Sequence, residues 1–242
     1  MRIAAKSNKG LVRASNQASY SAGELPGGVA WAVVCDGMGG ANGGNIASVT
    51  AVRILSEHIS ASYREGMSST SIKTMLSSAM YAANVSVFDM SRSVESLAGM
   101  GTTAVAAVIS GGVAHIVHAG DSRAYIDGGG TLEQITKDHS IVQNMIESGQ
   151  LTPEEAQFHP RKNVITRALG VSETVDVDYN EVVIEPGKML LICTDGLTNY
   201  VSSERIIELI NMSNFSDLPG ILIDEANTGG GGDNITVVVL SE

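Results

Sequence analysis

The amino-acid sequence predicts an α+β fold built on antiparallel strands within one domain. Two apolar runs, residues 103–109 and 113–118, are joined by Ser110-Gly111-Gly112 and read as a β-hairpin. Strands and helices come in separate groups, without the strict β-α-β alternation that a parallel sheet requires. The chain has 242 residues, 43% apolar and 17% charged, with no internal repeat and no linker. A chain of that size can bury roughly 70–75% of its unfolded surface in one unit, so residues 1–242 read as a single domain.

Each element has a local reason. Residues 29–35 form an apolar, partly β-branched run that enters a turn at Asp36-Gly37. After Gly39, Gly40, Gly43 and Gly44, the positions Ile46, Val49, Val52, Leu55 and Ile59 recur near helical spacing, predicting a helix over about 43–65. A second helix, about 71–91, follows a serine-rich turn with Ser69 and Thr70 as cap candidates. Beyond the hairpin, residues 123–127 read as a third strand of one antiparallel meander. A short helix follows between about 138 and 149, and Thr152-Pro153-Glu154-Glu155 is a capping box with proline at the first helical position. Residues 156–181 lack a clean period, and the whole stretch of about 140–180 reads as a flap-like excursion, a feature usually tied to binding. Strand 188–194, helices 203–211 and 217–227, a four-glycine turn and strand 234–240 close the chain.

Charge narrows the function. Fifteen Lys and Arg stand against 26 Asp and Glu, a formal net charge of −11. That balance argues against duplex DNA or an anionic membrane as partner, since both demand a cationic footprint. No stretch reaches the ~18 apolar residues of a membrane span, and residues 1–6 lack the apolar core of a secretory signal. Cys35 and Cys193 lie in apolar runs and read as buried thiols of a reducing compartment. The expected location is therefore cytoplasmic.

Three apolar strands end in or begin at an aspartate: Cys35-Asp36-Gly37, Cys193-Thr194-Asp195-Gly196 and Gly232-Asp233-Asn234-Ile235. A fourth, Asp121, sits in Gly120-Asp121-Ser122-Arg123. Asp-Gly alone is turn chemistry. Several carboxylates at neighbouring strand ends, however, make a hard oxygen site suited to Mg2+ or Mn2+.

These segments carry a family resemblance. Together with Arg13-x-x-Asn16-Gln17, Met38-Gly39-Gly40 and Gly101-Thr102-Thr103, their order and spacing resemble the metal-dependent serine/threonine protein phosphatases of type 2C, in the compact bacterial form. The resemblance implies a four-layer α-β-β-α sandwich, two antiparallel sheets flanked by helices, with two Mg2+ or Mn2+ ions at one end. Asp36 would bridge them, the Gly37 carbonyl would bind the second, Asp195 and Asp233 would complete the first, and Asp121 with Asp195 would hold a third. Arg13 would grip the substrate phosphate. The implied reaction is hydrolysis of phosphoserine and phosphothreonine on proteins by a metal-bridging water, with a bacterial Ser/Thr kinase as the opposing partner and a monomeric enzyme. Water as nucleophile agrees with the lack of any G-x-S-x-G, H-E-x-x-H or Walker motif.

Two positions depart from that pattern. Where the family places an aspartate after Asn16-Gln17, this chain has Ala18. Alanine accepts no hydrogen bond, so the resemblance implies impaired metal binding and turnover, the pattern of an introduced inactivating substitution. The alternative is a catalytically silent, phosphoprotein-binding pseudophosphatase; a hydrolase of small phosphate esters is a third class. Met38 stands where animal members carry a histidine, and is expected to pack. His115 and His118, an odd count apart, are expected on opposite faces of a strand with structural roles, and His139 at a helix start. Arg161, Lys162 and Arg167 form a basic cluster, either a solvated face or a contact for phosphoprotein substrate.

Overall fold

The computed structural model describes residues 1–241, apart from the side chains of residues 41 and 42. Two antiparallel sheets stack face to face. One runs β1 (Arg2–Asn8), β11 (Ile235–Ser241), β10 (Met189–Cys193), β7 (Arg123–Asp127), β8 (Leu132–Gln134). The other runs β2 (Ala18–Leu25), β3 (Val29–Met38), β5 (Ala104–Ser110), β6 (Val113–Ala119), β9 (Asp178–Val183), with the short β4 (Gly101–Thr102) on the end of β3. Helices α1 (Gly40–Ser62) and α2 (Ser69–Ser93) cover the second sheet, while α6 (Ser203–Met212) and α7 (Leu218–Thr228) cover the first. This is the four-layer arrangement expected. Among the described residues no helix is long and apolar enough to cross a membrane.

The side-chain alternation of β3 explains the layers. Trp31, Val33 and Cys35 face the helices, whereas Ala30, Ala32 and Val34 face the other sheet. Val105, Ala107 and Ile116 of the same sheet point the same way, and across the gap stand Ile192 and Val238, so small and β-branched residues fill the layer between the sheets. The same parity, carried one step beyond the apolar core, places Asp36, Thr103, Ser7, Thr236 and Ser122 at one end of the inter-sheet layer. Its chemistry changes there from methyl groups to hydroxyls and a carboxylate.

Several elements differ from the sequence reading. Residues 123–127 do not extend the meander: β6 pairs with β9, and β7 lies in the opposite sheet beside β10. Gly120 makes this crossover possible, with φ +113° and a position where a Cβ would come within 2.6 Å of Thr103. The run 29–35 continues as strand through Asp36 to Met38 because β4 pairs with Gly37 and Met38. Ser68, not Ser69 or Thr70, caps α2, accepting from the Ser71 N–H. β1 and β2 escape the hydrophobic pattern because small and polar residues fill them; β1 takes its register from β11 at the other end of the chain, whereas β2 forms a hairpin with the neighbouring β3. The irregular stretch ends at residue 177, where β9 joins the sheet edge. Within it, α3 (Ile141–Glu147) is capped by Ser140, and α4 (Pro153–Gln157) carries the expected capping box through Thr152 and Glu155. Asn84 of α2 holds its far end, accepting from Gly170 N–H and donating to the Ser172 and Glu173 carbonyls.

Ile192 is fully buried between the sheets. Ile192→Ala should lower unfolding free energy by about 2–5 kcal/mol, read from urea denaturation of the two proteins side by side.

Candidate metal centre

At the polar end of the inter-sheet layer, a cavity of about 450 Å3 is lined by Asp36, Asp121, Asp195 and Asp233, with Arg13 and Met38 at its walls. Each carboxylate arrives on a different element. Asp36 ends the inter-sheet face of β3, Asp121 occupies the crossover between β6 and β7, Asp195 opens the four-residue helix α5 (Asp195–Thr198), and Asp233 lies in the turn before β11. All four aspartates expected from the sequence converge, although they are far apart along the chain.

Buried hydroxyls and amides fix these elements to one another. Thr103 Oγ1 accepts from the Asp36 N–H at 3.0 Å and shares a 2.7 Å hydrogen bond with Ser122 Oγ, so it joins the Asp36 and Asp121 segments. Thr194 Oγ1 donates to the Asn234 carbonyl and accepts from Thr236 N–H, joining the Asp195 and Asp233 segments. The buried Asn234 accepts from Gln17 N–H and donates to the carbonyls of Lys9 and Ser15. It thereby holds the irregular loop 9–17 that carries Arg13. Gly37 lies so close to α1 that a Cβ would meet the Gly44 carbonyl at 1.9 Å, which brings the helix start against the strand end.

The electrostatics identify what the cleft suits. Burial pushes Asp36 well above the ordinary carboxylate range, and Asp195, Asp233 and Asp121 push it further. Asp121 is pushed up to about 8, first by burial and then by Asp195 and Asp138. Asp195 rises to about 6, by burial and by Asp233. Arg13 opposes the cluster through a 2.8 Å hydrogen bond to Asp233 Oδ2, but its side chain is 53% exposed. One solvated guanidinium cannot offset four carboxylates. A set of hard, half-buried oxygens with excess negative charge fits divalent Mg2+ or Mn2+.

Ala18 stands directly across from Asp36 in the β2–β3 register, on the same face and 6% exposed. Met38 ends β3 and packs against Gly101. His115 and His118 face opposite sides of β6: His115 Nδ1 bonds Tyr179 Oη at 2.7 Å, and His118 lies between the sheets. His139 precedes α3 without capping it; Ser140 does that. Of the basic cluster, Arg167 is paired with Asp178 Oδ1 at 2.8 Å, leaving Arg161 and Lys162 exposed. Both cysteines are buried free thiols. The sequence reading missed Asn163 and Ile165, which reach the cleft wall from the excursion. No local pattern marks them, because only the folding back of residues 158–169 brings them there.

The profile of the family described as Protein phosphatase 2C matches residues 12–217. The chain belongs to the protein phosphatase 2C family. It is 36% identical over 239 residues to the serine/threonine phosphatase stp of Listeria monocytogenes, covering 97% of this chain and 93% of that one. The serine/threonine phosphatase of S. agalactiae superposes with a TM-score of 0.93 at 34% identity, covering 100% and 99%. The catalytic domain of the serine/threonine protein phosphatase PstP, solved with two manganese ions, superposes with a TM-score of 0.84 at 36% identity, covering 98% and 96%. The homologues of this family member are thus metal-dependent Ser/Thr phosphatases.

The raised carboxylates give a signed prediction. The folded metal-free protein binds more protons than the unfolded chain between the ordinary carboxylate value, 3.8, and about 8. Its stability should therefore fall as pH rises through that window. Mn2+ should reverse the fall while displacing protons, so calorimetric Mn2+ titrations near pH 7 in buffers of different ionisation enthalpy should show proton release. A flat melting temperature from pH 5 to 8 without metal would contradict this.

Proposed function

We propose that this chain is a protein phosphatase acting on phosphoserine and phosphothreonine, with Asp36, Asp195 and Asp233 as its central metal-holding residues. The observation that carries the reading is the convergence of four aspartates and Arg13 in one cleft, in a chain similar over its length to such phosphatases. Asp36, the Gly37 carbonyl, Asp195 and Asp233 would hold two ions, and Asp121 with Asp195 a third. Divalent ions bound there would supply Lewis acidity at neutral pH and offset charge on the phosphoryl group. Arg13, on the exposed lip, offers a planar two-pronged donor to phosphate oxygens, which lysine would not reproduce. The Thr103 hydroxyl in the cleft is committed to Asp36 and Ser122, which agrees with water as the nucleophile that the family resemblance implies. Arg161 and Lys162 are placed to meet acidic phosphoprotein surface. The partner reaction is that of a Ser/Thr kinase, and the protein works as a single domain, monomeric and in the cytoplasm.

Ala18 lowers this activity. A carboxylate at position 18 would stand beside Asp36, on the same face, where it could accept hydrogen bonds from water around the ions. Ala18→Asp should raise Mn2+-stimulated hydrolysis of a phosphothreonine peptide by at least about tenfold, the worth of one or two charged hydrogen bonds. Absence of any Mn2+-stimulated turnover in that variant would sink the enzymatic reading. Tight phosphopeptide binding without turnover there would instead support the silent binding module.

In the Ala18→Asp protein, Arg13→Ala should reduce kcat/KM roughly 10- to 100-fold and weaken inhibition by inorganic phosphate. Melting temperature, read alongside, should barely move because the side chain is exposed.

A further inference from the structure

Beyond the cleft, the densest polar cluster outside the four aspartates is formed by His118, His139, Asp178 and Arg167. It resembles a second metal site, since ligand atoms of His118, His139 and Asp178 lie within 4.8 Å of one another. The ring geometry argues against that use. The two imidazoles stack with centroids 4.6 Å apart and planes 9° apart, so their lone pairs lie in parallel planes and do not converge on one ion. Arg167 already supplies a cation to Asp178.

We infer that His139 is a positioning residue whose ring holds the Gly120–Asp121 turn with Nδ1 and the root of the 141–177 excursion with Nε2. The inference rests on the functional reading above only for what the cleft does. Gly120 cannot be anchored by a side chain of its own, because a Cβ there would run into Thr103. Both of its backbone groups are instead taken by His139: the Gly120 N–H donates to Nδ1 at 3.1 Å, and the Gly120 carbonyl accepts from the His139 N–H at 3.0 Å. Since Nδ1 accepts, the ring proton sits on Nε2, which faces Asp178 Oδ2 at 3.2 Å. Arg167 Nη1 donates to the other oxygen of that carboxylate at 2.8 Å and lies 3.2 Å from Nε2 itself, so with the ring proton on Nε2 these two donors sit side by side and are brought together by Asp178.

The main chain of His139 completes the link. Its carbonyl accepts from Thr166 N–H at 2.8 Å, and Ser140 bridges to Ile165. Thus the residue that fixes the turn bearing Asp121 also receives the returning arm of the excursion, whose Asn163 and Ile165 wall the cleft. His118 supports the ring from below, donating from Nε2 to the Lys137 carbonyl at 2.8 Å and stacking flat against it. One imidazole sets the spacing between the cleft's floor and its outer wall.

Side-chain isosteres separate the two contacts. Asparagine places an acceptor near the position of Nδ1, and glutamine places a donor near that of Nε2. In amide hydrogen exchange, H139N should exchange about tenfold faster across residues 142–166 with residues 119–123 unchanged, the effect of losing one buried hydrogen bond. H139Q should show the reverse. Asp178→Ala, which leaves the ring in place, should match H139N even if the ring variants fold poorly. Equal loosening of both segments in both variants, or no change in either, overturns the inference. In the Ala18→Asp background, H139N should raise KM for a phosphopeptide with little change in kcat, and H139Q should lower kcat. An inactive background would count against the functional reading while the exchange pattern still decides the role of His139.

Discussion

Mutual repulsion among four half-buried carboxylates is the constraint on which the rest of this structure depends. Each of Asp36, Asp121 and Asp195 is driven above its ordinary titration range by burial and by its neighbours. A flexible chain would relieve that repulsion by moving the groups apart. Here they stay together because each is mounted on an element that cannot move alone. β3 is bonded on both sides, and α5 and the Asp233 turn are tied by Thr194 and Asn234. The apolar layer between the sheets, dense with alanine and valine, provides the stiffness.

The polar groups around the cleft form a graded system. Thr103, Ser122, Thr194, Thr236 and Asn234 are buried and mutually satisfied, so they add rigidity without adding charge. Arg13 lies outside them on a loop without regular structure, fixed at its base by Asn234 and held at its exposed tip by Asp233. In the proposed reading that division would suit a site whose metal-holding groups are preorganised while its phosphate contact admits and releases a protein substrate. His139 extends the same principle outward to the excursion.

Ala18 leaves the fold around Asp36 undisturbed. The strand is intact, its register with β3 is regular, and the side chain is buried beside Asp36. Nothing in the backbone is disturbed by the missing carboxylate. In the proposed reading its consequence would lie in hydrogen bonds to water around the ions, so that fold and activity would part company at this one position.

Much of this was legible in the sequence. Strand parity and apolar runs predicted β3, β5, β6, β10 and β11, and helical spacing predicted α1, α2, α6 and α7, because these are patterns of burial written into neighbouring residues. The four aspartates stood out by the turn motifs around them, and Arg13 by the family resemblance. Strands β1 and β2 were not legible, since small and polar residues fill both, and β1 takes its order from β11 at the far end of the chain. The sheet to which β7 belongs was not legible either: a hairpin followed by a strand reads as a meander unless the positive φ of Gly120 is known. The sequence by itself determined the layer chemistry and which carboxylates would line the cleft, which follow from residue type and from the turn motifs. Only the tertiary structure decided that β7 crosses between sheets, that Asn163 and Ile165 wall the cleft, and that His139 joins the two. Those facts depend on contacts between segments far apart along the chain, and short-range patterns carry no record of them.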